Sequence, residues 1–385
     1  MTKLMETIAE QTGGKSYHTL KYSYDSIGLP SLDYDDALNR VMKWKESGET
    51  TNHKHAVPLK EKADARFANG SGSLFSFFLD GSRRVYKVDD ISYNKKVYPV
   101  VAGQVGIACC KRENKRMKPF DYEKQLVISL PDICFSNSWD KETDCNLLLK
   151  NVNKNRILEN LKIQFSKILT YSTSIDERQK LEDFATATIQ DYMIESEKKM
   201  VADLVKRLDQ NHFLLKDGSL EYKPMTRGDV NFRDLRKIKY NYKWVIGVSK
   251  SFNPECCLDH TGKPNSNYIA NLPLYYRTPV AKYSNEITGH DVCFGVWYIR
   301  IRDKSRTLTP FDGVIKVEKI MLDNELDYGI DSELVDFISA DLINERNPTC
   351  YGSDRRWANH LYPVYLTESF IKSKYLSEEL FLSLF

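Results

Sequence analysis

The sequence predicts an α/β fold in which a mixed sheet is flanked by helices. Two zones rich in β-branched and aromatic residues, at about 73–108 and 213–318, are separated by a helical stretch from Leu147 to Leu208. The chain returns to helix from Ser332 to about Asn344 and again from about Thr367. Strand zones alternating with helical zones are typical of a sheet with helices packed against it.

The first strand zone is interpreted as a meander of three antiparallel strands, Leu74–Leu79, Val85–Val88 and Val97–Ala108. Within the helical stretch, Ser174-Ile-Asp-Glu177 is a capping box that predicts the start of a long helix. One face of this helix is predicted to be apolar through Ile189, Tyr192, Met193, Met200, Leu204 and Leu208. The second zone contains the predicted strands Phe213–Asp217, Trp244–Ser249, Val292–Arg302 and Gly313–Glu318.

The domain organisation follows from length and composition. A chain of 385 residues exceeds the usual single domain, so one elaborated domain or a core with insertions is expected. Residues 1–72 are polar and broken by glycine and proline, and we interpret them as an N-terminal accessory segment in which Asp33 to Lys45 could form a helix. Residues 73–385 form the main domain, with a helical insertion at about 147–210.

Charge and cysteine content bound the class of protein. The net charge of +3 leaves both a polyanion and a neutral partner open. The eight cysteines lack the regular spacing that is typical of small secreted domains held together by disulfide bonds. This favours a reducing compartment. Neither an N-terminal signal core nor an apolar run near the roughly 20 residues of a membrane span is present. We therefore expect a cytoplasmic protein without membrane contact.

The tripeptide Asp-Gly-Ser occurs twice, at Asp80 and Asp217, each time after an apolar run of strand length. Two carboxylates at the ends of neighbouring strands would converge, and a divalent cation between them is the simplest reason for two buried anions to do so. Turn chemistry alone also explains one such site, as in Phe311-Asp312-Gly313. The second matching copy favours a metal site.

A third acid is expected on the long helix. Glu195 and Glu197 flank Ser196, which lies on the apolar face, so either side chain could reach over the sheet edge toward the aspartates. The alternative is that the charged run Glu195–Lys199 is a solvated face.

The succession of these motifs resembles the NurA nuclease family. The two Asp-Gly-Ser sites, the helix glutamate, a following strand that ends in Gly247-Val-Ser-Lys250-Ser and a late Tyr362-Pro363-Val-Tyr-Leu366 stand in the family's order from about Leu74 onward. The resemblance implies a ribonuclease-H-like, Piwi-related core, the use of manganese, and a homodimer that works with a hexameric HerA- or FtsK-like DNA-translocating ATPase. It also implies a role in DNA end processing and repair or in antiviral defence.

The resemblance assigns roles by position. Asp80 and Asp217 match the metal-binding aspartates, Glu197 or Glu195 matches the helix glutamate, and Lys250 matches a basic residue that could neutralise charge on the scissile phosphate.

The chain departs from the family beyond Tyr362-Pro363, where the family has a histidine and this sequence reads Leu366-Thr-Glu368-Ser-Phe370. Three outcomes stay open: Glu368 is the ligand instead, His360 reaches in from upstream, or one ligand is absent. The last outcome could leave the protein inactive.

The acidic set suits phosphodiester hydrolysis. Carboxylate oxygens select Mg²⁺ or Mn²⁺, and two such ions can activate water and stabilise the leaving oxygen without a side-chain nucleophile. Phosphate-binding fingerprints of the Gly-x-x-x-x-Gly-Lys and Gly-x-Gly-x-x-Gly types do not occur, so the chain is not expected to act as a nucleotide-driven motor itself.

Basic residues interleaved with aromatic residues indicate where nucleic acid could bind. The candidates are Arg227, Arg233, Arg236, Lys237 and Lys239, followed by Lys111–Lys118 and Arg355-Arg356-Trp357. For any single cluster, a solvated charged loop is the alternative interpretation.

Other functions remain open at this stage. A catalytically silent, Piwi-like nucleic-acid-binding or scaffold subunit would keep the same strands, and an RNA-directed nuclease would keep the same site. A structural zinc is the competing metal hypothesis, with Cys256, Cys257, His260, His290 and Cys293 as ligands, although cysteines also serve as small core residues.

Overall fold

The protein is a mixed α/β structure built around one large sheet. The computed structural model describes residues 4–16, 22–23, 42–68, 72–93, 95–136, 138–174, 180–220, 232–254, 257, 263–285, 292–304, 307, 309–348 and 355–385. Within these residues fourteen strands join in one sheet, and helices pack against it. The predicted α/β sheet flanked by helices is therefore confirmed.

The strands are β1 Lys15–Ser16, β2 Tyr22–Ser23, β3 Met42–Ser47, β4 Val57–Pro58, β5 Phe75–Tyr93, β6 Lys96–Glu113, β7 Arg116–Pro131, β8 Lys167–Tyr171, β9 Phe213–Asp217, β10 Val245–Ser249, β11 Tyr276–Arg277, β12 Ala281–Asn285, β13 Cys293–Arg300 and β14 Val314–Ile320. The helices are α1 Leu4–Thr12, α2 Lys60–Ala68, α3 Lys141–Asn153, α4 Arg156–Leu161, α5 Leu181–Leu204, α6 Phe232–Asn241, α7 Ser266–Ala270, α8 Asp323–Tyr328, α9 Ser332–Asn344, α10 Tyr362–Lys372 and α11 Glu378–Leu382.

The sheet combines an antiparallel meander with a parallel segment. Its strand order is β3-β12-β13-β14-β10-β9-β5-β6-β7-β8. Strands β5, β6 and β7 are antiparallel neighbours, whereas β9 runs parallel to both β5 and β10. The parallel strands β5, β9 and β10 therefore carry their carboxyl ends toward the same edge of the sheet.

An antiparallel meander is present, but its strands differ from the three predicted, because the first two are joined through the first Asp-Gly-Ser and the third is β7, which the sequence did not predict. The two strands predicted on either side of this tripeptide are one strand, Phe75–Tyr93, and Asp80, Gly81 and Ser82 pair with Ala108, Ile107 and Gly106 of β6. Glycine permits a turn but does not impose one, and continuous pairing with β6 keeps the backbone extended here.

The N-terminal segment also differs from its prediction. Residues 33–41 of the predicted helix lie outside the described residues, but Met42–Ser47 is a strand that pairs with β12. Pairing along a sheet edge has overridden the helical spacing of the sequence. The described residues before position 72 also supply β1, β2 and β4 to the same sheet, while a domain boundary at this point stays a prediction.

Two helices cover opposite faces of the central strands. On one side, Ile189 of α5 lies where a side chain at Gly103 would point, and on the other, Ile371 of α10 lies where a side chain at Gly106 would point. Because residues 103 and 106 of one strand face opposite ways, we name these the α5 face and the α10 face.

The predicted apolar face of the long helix is borne out by burial in part, since Tyr192 is only partly buried and Leu208 lies beyond the end of the helix at Leu204. Ile189, Met193, Met200 and Leu204 of α5 are buried against the sheet. The helix begins at Leu181, and most of the predicted capping box lies outside the described residues. Strand β8 interrupts the predicted helical insertion by pairing with β7. No helix in the described ranges is long and apolar enough to cross a membrane.

Candidate active site

Three chain segments that are far apart in sequence converge where the parallel strands β9 and β10 end beside Asp80 of β5, which continues to Tyr93. The register pairs Leu79 of β5 with Lys216 of β9, and Val248 of β10 with Asp217. Asp80 and Asp217 are therefore neighbours, and Lys250 follows two residues after Val248. All three side chains lie on the α10 face, since alternate strand residues share a face.

The second Asp-Gly-Ser is a turn that holds Asp217 in place. Gly218 has φ +81°, a conformation that suits glycine, and its N–H donates to the Val248 carbonyl at 2.9 Å. The Ser219 hydroxyl and the Leu220 N–H then both donate to Glu318 Oε2 at 2.7 Å. Glu318 is fully buried and pairs with Lys316 at 2.6 Å, so the turn after β9 is anchored from β14, the second strand away in the sheet.

Lys250 lies between two carboxylates. Its Nζ is 3.0 Å from Asp217 Oδ2 and 3.8 Å from Glu368 Oε2, and only 9% of its side chain is exposed. Burial alone would lower the pKa of Lys250, but the charges of Asp217, Asp80 and Glu368 outweigh it and raise this pKa above its usual value. The ammonium group is thus held charged inside the cluster.

The backbone of Lys250 is fixed by a residue from another segment. Asn359 Nδ2 donates to the Lys250 carbonyl at 2.6 Å, and Asn359 Oδ1 accepts from the N–H of Gly313. These bonds connect β10 to the turn before β14 and to the segment that leads into α10.

Asp80 is the most deeply buried acid of the cluster. It is 4% exposed, and its Oδ2 has no hydrogen-bond partner among the described residues. Burial, followed by the charge of Asp217, raises the pKa of Asp80 well above its ordinary value, with further contributions from Glu368 and Glu197. An orphaned buried carboxylate oxygen is costly unless a cation or donor reaches it.

Glu368 of α10 completes the cluster from above the sheet. Burial alone would raise its pKa, but Lys250 and Lys372 lower it, and Lys372 Nζ lies 2.6 Å from Glu368 Oε1. His360 also lowers this pKa, and its buried ring stacks on Tyr365 with centroids 6.4 Å apart. Of the two C-terminal candidates, Glu368 is in ion-pair contact with Lys250, and His360 lies in the segment just before the helix.

The two helix glutamates have different environments. Glu195 pairs with Lys198 and leaves 40% of its side chain exposed. Glu197 is buried on the α5 face, where its Oε2 pairs with Lys216 Nζ at 2.8 Å. A Cβ atom at Gly81 would collide with Glu197 Oε1, so the glycine of the first Asp-Gly-Ser makes room for this glutamate. The structure thus brings Glu197 beside Asp80, from the opposite face of the sheet.

The predicted nucleic-acid-binding residues are only partly described. Arg227 lies outside the described residues, and Arg233 and Arg236 are described only as backbone of α6. Lys237 is exposed and Lys239 is half-buried. A role of these residues in binding nucleic acid therefore stays a prediction.

The donor atoms suit a hard divalent cation, although they do not form a complete coordination shell. Asp80, Asp217 and Glu368 offer carboxylate oxygens, the ligands that Mg²⁺ and Mn²⁺ prefer, and Asp80 Oδ2 lacks any other partner in the described part of the chain. Across those same residues, no three His, Cys, Asp or Glu side chains are already arranged to hold a metal. The Lys250 ammonium instead stands between Asp217 and Glu368.

The competing zinc ligands cannot be assembled from the described residues. Cys256, His260 and His290 lie outside them. Cys257 and Cys293 are buried and belong to different apolar clusters.

Fold and site together define a mixed α/β protein with an acidic cluster and a buried lysine where the parallel strands β9 and β10 end beside β5. No protein-family model and no curated protein matches the sequence. Among solved structures, the chain is similar to the NurA nuclease from Sulfolobus solfataricus, with a TM-score of 0.40 and 12% identity over 88% of this chain and 84% of that chain. A likeness this weak carries no conclusion about activity.

Proposed function

We propose that this chain is a metal-dependent nuclease that hydrolyses phosphodiester bonds in DNA. The observation that carries the proposal is the meeting of Asp80, Asp217 and Glu368 around Lys250 at one edge of the sheet. A cluster of carboxylates with one strongly perturbed acid is typical of a catalytic site. The order β7-β6-β5-β9-β10 supports a ribonuclease-H-like core for it.

The residues divide into ligands and charge neutralisers. Asp80, Asp217 and Glu368 would hold Mg²⁺ or Mn²⁺, with Glu197 as the fourth acid beside Asp80. When bound, such a cation activates water for attack and stabilises the leaving oxygen. Lys250 would then turn from Asp217 toward the phosphate and offset the charge that builds up on it. The side chains of Asp217 and Glu368 are 22% and 19% exposed, which leaves the cluster open to substrate.

The identity of the substrate and partners rests on the sequence resemblance. It supports DNA over RNA, a homodimer, a HerA- or FtsK-like ATPase that feeds the substrate, and work in end processing or defence against foreign DNA in the cytoplasm. These parts of the proposal are independent of the acid cluster and are tested separately by adding the ATPase.

A second candidate function is a catalytically silent nucleic-acid-binding or scaffold subunit. The observation that favours it is the position of Lys250, whose ammonium group already neutralises Asp217 and lies near Glu368. A site whose own lysine replaces the cation would stabilise the fold without cleaving a substrate.

The direct test is cleavage of linear duplex and single-stranded DNA by the purified chain with Mn²⁺ or Mg²⁺. We expect cleavage by the wild type, loss of cleavage with a chelator, and loss in Asp217→Ala. Asp312→Ala is the matched control, because Asp312 also precedes a glycine of positive φ, +79°, in a turn, and its Oδ2 accepts from the Thr309 N–H in its own loop.

The control decides how the result is interpreted. Cleavage that survives in Asp217→Ala would refute the proposed site. Absence of cleavage by every form, with and without an ATPase partner, would favour the scaffold function instead. Equal loss in Asp217→Ala and Asp312→Ala would mean that damage to a turn, and not loss of a ligand, explains the effect.

A further inference from the structure

We propose that Tyr122 and Phe370 form a stacking platform for unpaired bases, so that single-stranded DNA is bound next to the acid cluster. The inference deepens the proposed nuclease function and rests on it, because the platform is taken to serve the substrate of the same site. It assigns the binding of single-stranded DNA to a surface that lies outside the acidic cluster.

The register of the sheet places the platform in line with Asp80. Asp80 pairs with Ala108 of β6, and Ala108 pairs with Tyr122 of β7. Residues paired across neighbouring strands point to the same face, so Tyr122 lies on the α10 face about 10 Å from Asp80, two strand spacings away. Phe370 follows Glu368 by two residues on α10 and approaches the same point from above.

The two rings are in contact and accessible. Their centroids are 5.3 Å apart with an interplanar angle of 89°, and 50% of Tyr122 is exposed. An edge-to-face pair fixes the orientation of each ring and leaves part of the tyrosine face open. Base stacking uses such an open aromatic face and tolerates any base, because every base has a π face.

A lysine gives the platform a positive charge. Lys374 Nζ lies 5.0 Å from the centroid of Phe370 and 5.8 Å from that of Tyr122. It is exposed, and no carboxylate of the described residues lies within ion-pair distance of it. Aromatic faces beside a lysine suit a strand that presents unpaired bases and phosphates together.

A protein partner fits these observations less well. A stable interface needs roughly 800 Å² from each partner, and two rings supply only a small part of that area. A duplex would keep its bases stacked on one another, out of reach of the rings. The combination of open rings, a cation and a position beside the acids therefore favours a single strand.

The test measures stacking directly and needs no cleavage. An oligodeoxynucleotide of about 16 residues that carries 2-aminopurine reports stacking by fluorescence quenching and binding by anisotropy, with a chelator present. We expect the double variant Tyr122→Ala/Phe370→Ala to bind the single strand at least about fivefold more weakly and to lose the quenching. Tyr122→Phe should keep both signals.

The matched control is Tyr328→Ala. Tyr328 is 75% exposed and ends α8, just after β14, whose Lys319 pairs with Ile246 at the start of β10. It therefore lies at the opposite edge of the sheet from Lys250, and its removal should change neither affinity nor quenching. Thermal unfolding of each variant checks that the fold is retained.

The outcomes separate the platform from the nuclease proposal. Unchanged quenching in a folded double variant would overturn the platform, and so would loss of a dimer on gel filtration with DNA binding unaffected. Quenching by the wild type in the absence of any cleavage would refute only the proposed nuclease function. Cleavage by the wild type together with unchanged quenching in the double variant would refute only the proposed platform.

Discussion

Asp80→Asn is expected to give a more stable protein that cleaves DNA at least about a hundredfold more slowly. Mutation of residues that only hydrogen-bond to a metal ligand already lowers activity about ten- to a hundredfold, and Asp80 is a proposed ligand itself. The Asp80 carboxylate is 4% exposed, has an orphaned Oδ2 in the described structure and lies beside Asp217. Asparagine keeps the shape of the side chain and removes its charge. In cation-free buffer we expect a gain of about 1–3 kcal/mol in the free energy of unfolding, because the amide carries no charge that must be buried beside that of Asp217.

Addition of Mn²⁺ or Mg²⁺ should reverse the order of stability. A cation that binds only the folded wild type stabilises it by about 2.7 kcal/mol at a concentration of one hundred times its Kd. Asp80→Asn lacks a carboxylate at the site, so its unfolding temperature should respond little to the cation. Differential scanning fluorimetry with and without cation measures both effects on the same samples.

Asp312→Asn is the control for this comparison, since its carboxylate accepts from the Thr309 N–H in a half-exposed loop. It should respond to cations as the wild type does. A destabilised Asp80→Asn that still responds fully to the cation would show that Asp80 is structural and that the metal, if any, binds elsewhere.

The part of the site that the sequence predicts depends on local chemistry. Asp217 ends a strand and Gly218 turns the chain, as the apolar run and the tripeptide indicate. The same tripeptide at Asp80 was wrongly predicted as a strand end, because pairing with β6 continues through Gly81. The tripeptide permits either a turn or an extended backbone, and pairing with the neighbouring strand determines which of the two forms.

The rest of the site depends on contacts that no local pattern encodes. Glu318 anchors the turn after Asp217 from a position about 100 residues later, and Asn359 fixes Lys250 from more than 100 residues away. The sequence gives Lys216 no feature that separates it from an ordinary strand residue, although alternation places its side chain on the face opposite to that of Asp217. Its partner Glu197 comes from a helix whose packing only the fold reveals.

Lys216→Met is expected to destabilise the protein by about 3–5 kcal/mol, the usual effect of leaving one member of a buried ion pair without its partner. Glu197 and Lys216 pair at 2.8 Å with 6% of each side chain exposed, and Lys216 Nζ also donates to the Asp217 carbonyl at 2.8 Å. Urea unfolding gives the change in stability. Lys206→Met is the control, because Lys206 is exposed and should stay within about 0.5 kcal/mol of the wild type.

The double variant Glu197→Leu/Lys216→Met separates a structural role of the glutamate from a catalytic one. Replacing both members of a buried pair by apolar residues is often neutral, so most of the lost stability should return. If Glu197 serves the fold alone, DNA cleavage should return with stability. We expect a stable protein that no longer cleaves, because Glu197 lies against Gly81 and raises the pKa of Asp80. A stable and fully active double variant would remove Glu197 from the site and leave Asp80, Asp217 and Glu368 as its acids.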